Sequence, residues 1–296
     1  MPRKTASDFH PEVMKLFDQY VHGIIDRRGF LARAAQYAAG GVTATMLLDM
    51  LNPKFAEAQQ VKPDDARLVT KYAEYPSPQG SGKMRGYMAV GFKARAKLPG
   101  IVVVHENRGL NPHTEDIARR LALEGFLAFA PDALFPLGGY PGDEDKAREL
   151  FGKLDQAKSR NDFVAAVDYL KTYPGCSGVI GTVGFCYGGS MANILATRIP
   201  DLAAAVPFYG GQPPAEEAAR IKAPLLIHYA DNDERVNAGW PAYETALKAA
   251  GVKYEMYKYP GTQHGFLNDT TPRYDEAAAK LAWKRTVEFF KGKLLA

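Results

Sequence analysis

Hydrophobic positions follow two regimes along the chain. From about residue 61 onward, short continuous apolar runs alternate with stretches in which apolar residues recur every three or four positions. The runs at residues 101–104, 126–130, 179–183, 203–208 and 225–229 are brief and rich in Val, Ile, Ala and Phe, as expected for strands buried on both faces of a parallel sheet. Helical spacing fills residues 114–124, 144–154, 162–173, 189–199, 240–250 and 274–294, and residues 254–259 alternate as a further strand. Residues 68–75 and 84–92 read as two strands joined by the glycine-rich turn SPQGSGK, an antiparallel hairpin for the edge of the sheet. Strand, helix and strand in succession require a crossover and hence a parallel sheet. The predicted fold is α/β, with a mostly parallel central sheet, helices on both faces and an N-terminal edge hairpin. The proline- and glycine-rich stretch 131–142 follows a strand end, where loops of open α/β sheets border the ligand site.

Residues 1–60 follow neither regime and form an extension ahead of a domain spanning 61–296. The sequence Asp26-Arg27-Arg28-Gly29-Phe30-Leu31, a moderately apolar Ala/Gly-rich run and Ala56-Glu57-Ala58 resemble a twin-arginine export signal cleaved after Ala58. That resemblance implies the twin-arginine translocase as a partner and a periplasmic or secreted location. The alternative is a pair of amphipathic helices that stay packed on a cytoplasmic protein. The segment before the arginines is long, and Asp49 interrupts the apolar run. No apolar run reaches the ~18 to 20 residues of a spanning helix.

The charge balance of 37 basic against 33 acidic residues gives a net charge of +4, spread along the chain, so neither nucleic acid nor a membrane surface is indicated as a partner. The 296 residues allow a large core, in a monomer or small homo-oligomer. The two cysteines, Cys176 and Cys186, flank a predicted strand whose length exceeds the reach of a disulfide, so both are expected as thiols.

One cysteine stands in a distinctive place. In GVIGTVGFCYGGS, Cys186 follows a buried strand and precedes a helix, with Gly184 and Gly188 two residues to either side. This is the nucleophile-elbow pattern GxSxG with cysteine for serine, the glycines permitting close backbone approach at a sharp turn. The helix amino terminus favours thiolate. A buried structural cysteine is the alternative reading of the pentapeptide alone. A nucleophilic cysteine needs a base, and the base a carboxylate. Asp233 follows the strand ending at Tyr229, and His264 follows the strand ending at Tyr259, so nucleophile, acid and histidine occur in order at successive strand ends. Asp233 is preferred to Asp231, which suits a local turn bond.

GFCYGGS, the Asp233 loop, His264-Gly265-Phe266 and the stretch Val102 to Asn111 resemble the dienelactone hydrolase family, carboxymethylenebutenolidase-like α/β hydrolases with a Cys-His-Asp triad. The resemblance spans about residue 61 to the end. It implies hydrolysis of small esters or lactones through an acyl-enzyme on Cys186. It also implies that Glu106 holds the resting thiol proton and that the backbone N–H groups of Asn107 and Tyr187 form the oxyanion hole. The family binds a substrate carboxylate through arginines, one of them four residues after the histidine, where this chain has Asn268. Arg108 and Arg148 are the remaining candidates for that contact, because an arginine fork suits a carboxylate. Phe135, Tyr140, Tyr187, Tyr209 and Phe266 are candidates for the pocket wall.

HENRG lacks the second histidine of a zinc motif, and no His/Cys cluster has metal spacing in the sequence, so neither metal nor cofactor is expected. Two rival readings use the same residues. One is a thiol redox protein with Cys176 as resolving partner, and the other is a noncatalytic exported binding protein on the hydrolase fold.

Overall fold

The computed structural model describes residues 4–38, 40–94 and 96–295. The extension contains helices α1 (Pro11–Val21), α2 (Arg27–Ala34), α3 (Ala44–Leu51) and α4 (Phe55–Ala58). Pro11 opens α1 at a position whose N–H needs no partner, and Asp26 and Thr43 cap the next two helices by accepting from Gly29 and Met46. The apolar side of α1, with Val13, Met14, Phe17 and Tyr20, closes on Phe30, Leu48 and Leu51 to make a small core of its own.

The main domain carries an eight-stranded sheet. Its strands are β1 (Leu68–Ser77), β2 (Gly82–Gly91), β3 (Leu98–Val104), β4 (Leu127–Pro131), β5 (Cys176–Phe185), β6 (Ala204–Phe208), β7 (Leu225–Asn232) and β8 (Tyr254–Gln263). They lie in the order β1-β2-β4-β3-β5-β6-β7-β8. The first two form the edge hairpin, β2 meets β4 antiparallel, and every pairing beyond is parallel. The helices are α5 (Pro112–Leu123), α6 (Glu144–Phe151), α7 (Gln156–Thr172), α8 (Tyr187–Arg198), α9 (Ala215–Ala218), α10 (Glu234–Asn237), α11 (Trp240–Ala249) and α12 (Glu276–Leu294). One face of the sheet is sealed by α5 and α12 through Ile117, Leu121, Ala282 and Phe290. The other is sealed by α7, α8 and α11 through Phe163, Leu170, Leu195 and Leu247. Among the described residues, no helix is long and apolar enough to cross a membrane.

Several strands outrun the apolar runs that predict them, because ladder hydrogen bonding continues after side-chain burial stops. This matters most at β7 and β8, where the register shifts after Ala230 opposite Tyr259 and pairing resumes with Asn232 opposite Gln263. The next residue on each strand is Asp233 and His264, so the ladder itself delivers the pair side by side.

Candidate active site

The turn from β5 into α8 is as tight as its glycines suggest. A Cβ on Gly184 would lie 1.9 Å from the Gly188 carbonyl oxygen, and one on Gly188 would lie 2.2 Å from that of Val104. Cys186 sits at the apex with φ +56°, a left-handed conformation that non-glycine residues seldom adopt and that surrounding structure must enforce. Tyr187 opens α8, so its N–H is one of the first-turn donors without an intrahelical partner.

His264 Nδ1 lies 2.5 Å from Asp233 Oδ2, and both side chains are buried. Asp231 is exposed, accepts from Gly261 N–H and pairs with Lys258, both on the neighbouring β8, in place of the local turn bond expected from the sequence. His264 Nε2 faces the sulfur and has no hydrogen-bond partner among the described residues. Burial disfavours a thiolate at Cys186, but the nearby His264 and His22 outweigh it and bring the thiol down to about 6. Burial likewise opposes charge on His264, yet the thiolate and Asp233 raise it to about 10. The resting pair is therefore thiolate and imidazolium at neutral pH. Alkylation of Cys186 by iodoacetamide should accordingly show a pH midpoint near 6 instead of the ordinary ~8.5. A His22→Ala variant, having lost one of the stabilising groups, should move that midpoint upward.

His22 belongs to the extension, at the end of α1, 164 residues from the cysteine it touches, with Nε2 3.5 Å from Sγ. Its ring stands edge-on to that of His264 at 4.6 Å between centroids. Arg235 lies 2.9 Å from the same Nε2. Burial opposes charge on this ring, but the thiolate and Asp18 outweigh it and raise its pKa, so Nε2 is placed to donate to the sulfur. Nδ1 in turn faces the carbonyl oxygen of Asp18 at 2.8 Å and its carboxylate at 3.2 Å. The cysteine thus lies between two imidazole–carboxylate pairs, His264–Asp233 and His22–Asp18.

The residues ahead of His22 take up the polar groups that line the rest of the site. The Val21 carbonyl accepts from Asn107 Nδ2 at 2.8 Å and Arg108 Nη2 at 3.1 Å, and the Tyr20 carbonyl accepts from Arg148 Nη1 at 3.1 Å. Arg148 also stacks 4.2 Å from the Tyr20 ring, and the Tyr20 hydroxyl donates to Asp145, which pairs with Arg27. Between Tyr20, Val21 and the loop Glu106-Asn107-Arg108 lies a cavity of about 30 Å³, room for little more than a water molecule. A groove of about 870 Å³ lies elsewhere, between the end of the extension and α12, and contains no cysteine or histidine.

The side chains named from sequence are thus distributed unevenly. Cys186, His264 and Asp233 converge, and Arg108 and Arg148 approach the same space but are engaged by the extension. Glu106, assigned by resemblance to the thiol proton, instead accepts from Asn268 Nδ2 at 3.0 Å, and His22 is the sulfur's partner. Asn268 therefore fixes a carboxylate where the family pattern has an arginine. Phe266 is not a pocket wall: it is fully buried among Phe208, Tyr209 and Tyr259. Tyr140 donates to Glu144 and meets Phe55 of the extension edge-on. Cys176 and Cys186 bracket β5, roughly 30 Å apart along an extended strand, so Cys176 cannot resolve oxidised Cys186 within the folded chain.

The sequence model of the dienelactone hydrolase family matches residues 84–294. The chain belongs to this family. A separate model, described as YqhI-like, matches residues 1–39, the part of the extension that holds Asp18, His22 and the arginine pair. A protein of Escherichia coli K12 named as a carboxymethylenebutenolidase is 33% identical over 244 residues, covering 77% of this chain and 89% of that protein. The hydrolase fragment YghX of the same organism is 52% identical over 114 residues, 38% of this chain and 97% of the fragment. A crystal structure from Klebsiella pneumoniae named as a dienelactone hydrolase superposes with a TM-score of 0.67 at 29% identity, covering 75% of this chain and 98% of that one. This dienelactone hydrolase family member is an ester or lactone hydrolase with a small-molecule substrate.

Proposed function

We propose that the protein hydrolyses small esters or lactones through a thioester on Cys186. The observation that carries this reading is the meeting of Sγ, at a strained elbow, with the His264–Asp233 pair. The thiolate attacks the substrate carbonyl carbon, and the backbone amides of Asn107 and Tyr187 receive the developing oxyanion. Collapse of the tetrahedral intermediate breaks the C–O bond. The leaving oxygen takes the proton from His264 Nε2, and the acyl group remains on sulfur. His264, now neutral, removes a proton from water as the water attacks the thioester, and collapse returns acid product and thiolate. Asp233 holds the imidazole with Nε2 toward the sulfur throughout.

A thiolate is itself a good leaving group and expels a poor alkoxide reluctantly, which favours substrates whose leaving oxygen is stabilised, such as enol esters and enol lactones. Paired measurements on an enol lactone and its saturated analogue test this. At least about tenfold higher kcat/KM for the enol compound is expected, equivalent to a barrier difference of about 1.4 kcal/mol. Equal rates would remove leaving-group expulsion from the account.

In the covered arrangement, a substrate would occupy space now held by Tyr20, Val21 and His22. A carboxylate-bearing substrate would also have to take Arg108 and Arg148 from the Val21 and Tyr20 carbonyls and compete with Glu144 and Asp145, with which they pair. Turnover therefore requires this segment to be displaced. Phe30 is fully buried and Arg27 is paired with Asp145, which supports the extension as a retained cover. Export through the twin-arginine route with removal after Ala58 is the alternative proposal, and it would uncover the same site permanently.

A further inference from the structure

Three donor atoms meet at the covered nucleophile. Cys186 Sγ, His22 Nε2 and His264 Nε2 all lie within 4.8 Å of one another. We propose that these three side chains form a binding site for a thiophilic divalent cation of the Zn²⁺ class, which pins the N-terminal segment across the nucleophile. The site shares Cys186 and His264 with the hydrolytic machinery and adds His22 from the extension, so a bound cation and an acyl group are alternatives at the sulfur.

The donor set points to the class of ion. One sulfur and two imidazole nitrogens suit Zn²⁺ and its borderline-soft neighbours and exclude Mg²⁺ and Ca²⁺, which take oxygen. Tetrahedral Zn²⁺ with bonds of about 2.3 Å to sulfur and about 2.0–2.1 Å to nitrogen places S and N ligands about 3.6 Å apart. The Sγ to His22 Nε2 separation is 3.5 Å. The other two separations, at most 4.8 Å, need to close by no more than about 1.5 Å to reach that geometry. Three protein ligands leave the fourth position to water.

The outer shell is in place on both histidines. Each turns its Nδ1 toward a carboxylate, Asp18 at 3.2 Å and Asp233 at 2.5 Å. This arrangement fixes the tautomer, orients Nε2 toward the metal and raises its basicity. His264 Nε2 is buried beside the sulfur, and a bound cation takes the place of the proton it holds in the metal-free resting pair. Two cationic side chains also face the cluster. Arg273 is 3.8 Å from Asp18 Oδ1 and does not touch the donors. Arg235 lies 2.9 Å from His22 Nε2, but it is an exposed side chain, and metal binding turns it into solvent.

The test uses the full chain, freed of metal with chelator and titrated with Co²⁺, then with Zn²⁺ in competition with a chromophoric chelator. One equivalent of Co²⁺ should give a sulfur-to-cobalt charge-transfer band and the visible bands of a four-coordinate ion. Cys186→Ser should abolish the charge-transfer band. His22→Ala should weaken binding by at least about 100-fold, more than the 10–100-fold typical of losing an outer-shell partner, which is the range expected for Asp18→Asn. His22→Cys should restore binding and strengthen the charge-transfer band, which also guards against a folding defect at this position. Equal affinity in wild type and His22→Ala, or bound Co²⁺ without a sulfur band, overturns the proposal. Acylation of the metal-free protein is measured separately, so failure here leaves the hydrolytic reading intact.

Discussion

Cys186→Ala should lower kcat/KM for an activated ester such as p-nitrophenyl acetate by at least about 10,000-fold, the scale on which removal of a nucleophile acting as one unit with its base and acid is felt. The fold should survive, because the replaced atom is a single sulfur at the end of β5 and the tight turn depends on Gly184 and Gly188. Alanine leaves the positive φ at this position in place, so any stability change reflects the sulfur's lost contacts with His264 and His22 and the relief of its burial as thiolate. A variant that keeps a tenth of the activity would place the chemistry elsewhere and return Cys186 to a structural role.

Opening the cover should act in the opposite direction. In the double variant Tyr20→Ala, His22→Ala, the Arg148–Tyr20 cation–π contact, the Tyr20–Asp145 hydrogen bond and the His22–Cys186 contact are removed together. Contacts of these kinds contribute about 0.5–2 kcal/mol each when partly buried. A combined shift of about 1.4–2.8 kcal/mol toward the open state corresponds to roughly a 10–100-fold gain in kcat/KM, since apparent affinity scales with the open fraction. The gain should appear mainly in KM and be largest for bulky esters. A fall in kcat would instead give His22 a part in the proton transfers and make the second imidazole–carboxylate pair an element of the chemistry.

The contrast between these two expectations follows from what the chain makes legible. Buried parallel strands announce themselves as continuous apolar runs, and the elbow is readable because two glycines and a cysteine must stand at fixed spacing for the turn to close. Asp233 and His264 are legible for a similar reason: each follows a strand end, and strand ends on one edge of a parallel sheet converge. What lies beyond is set by contacts between distant segments. His22 precedes the elbow by 164 residues and sits in a segment whose paired arginines and AxA sequence resemble an export signal. Nothing local marks it as a partner of Cys186, because that partnership depends on how α1 docks. Docking rests on Arg148 stacking on Tyr20, Arg273 stacking on Phe17 and the Val21 carbonyl meeting Asn107 and Arg108. The same docking explains why Arg108 and Arg148, sensible anchors for a substrate carboxylate, meet backbone carbonyls of the extension in addition to Glu144 and Asp145. Glu106 is a further case: its place after β3 is readable, but its bond to Asn268 depends on a loop that follows the last strand.

The central claim is that Cys186 carries the acyl group during turnover. Intact mass of the metal-free protein, quenched within the first turnovers of p-nitrophenyl acetate and compared with Cys186→Ala, tests it most directly. The account predicts one acetyl adduct on the wild-type chain that decays as substrate is exhausted, with nitrophenol released well beyond one equivalent and no adduct on the variant. Sustained nitrophenol release with no adduct on wild type, or an equal adduct on Cys186→Ala, would contradict it.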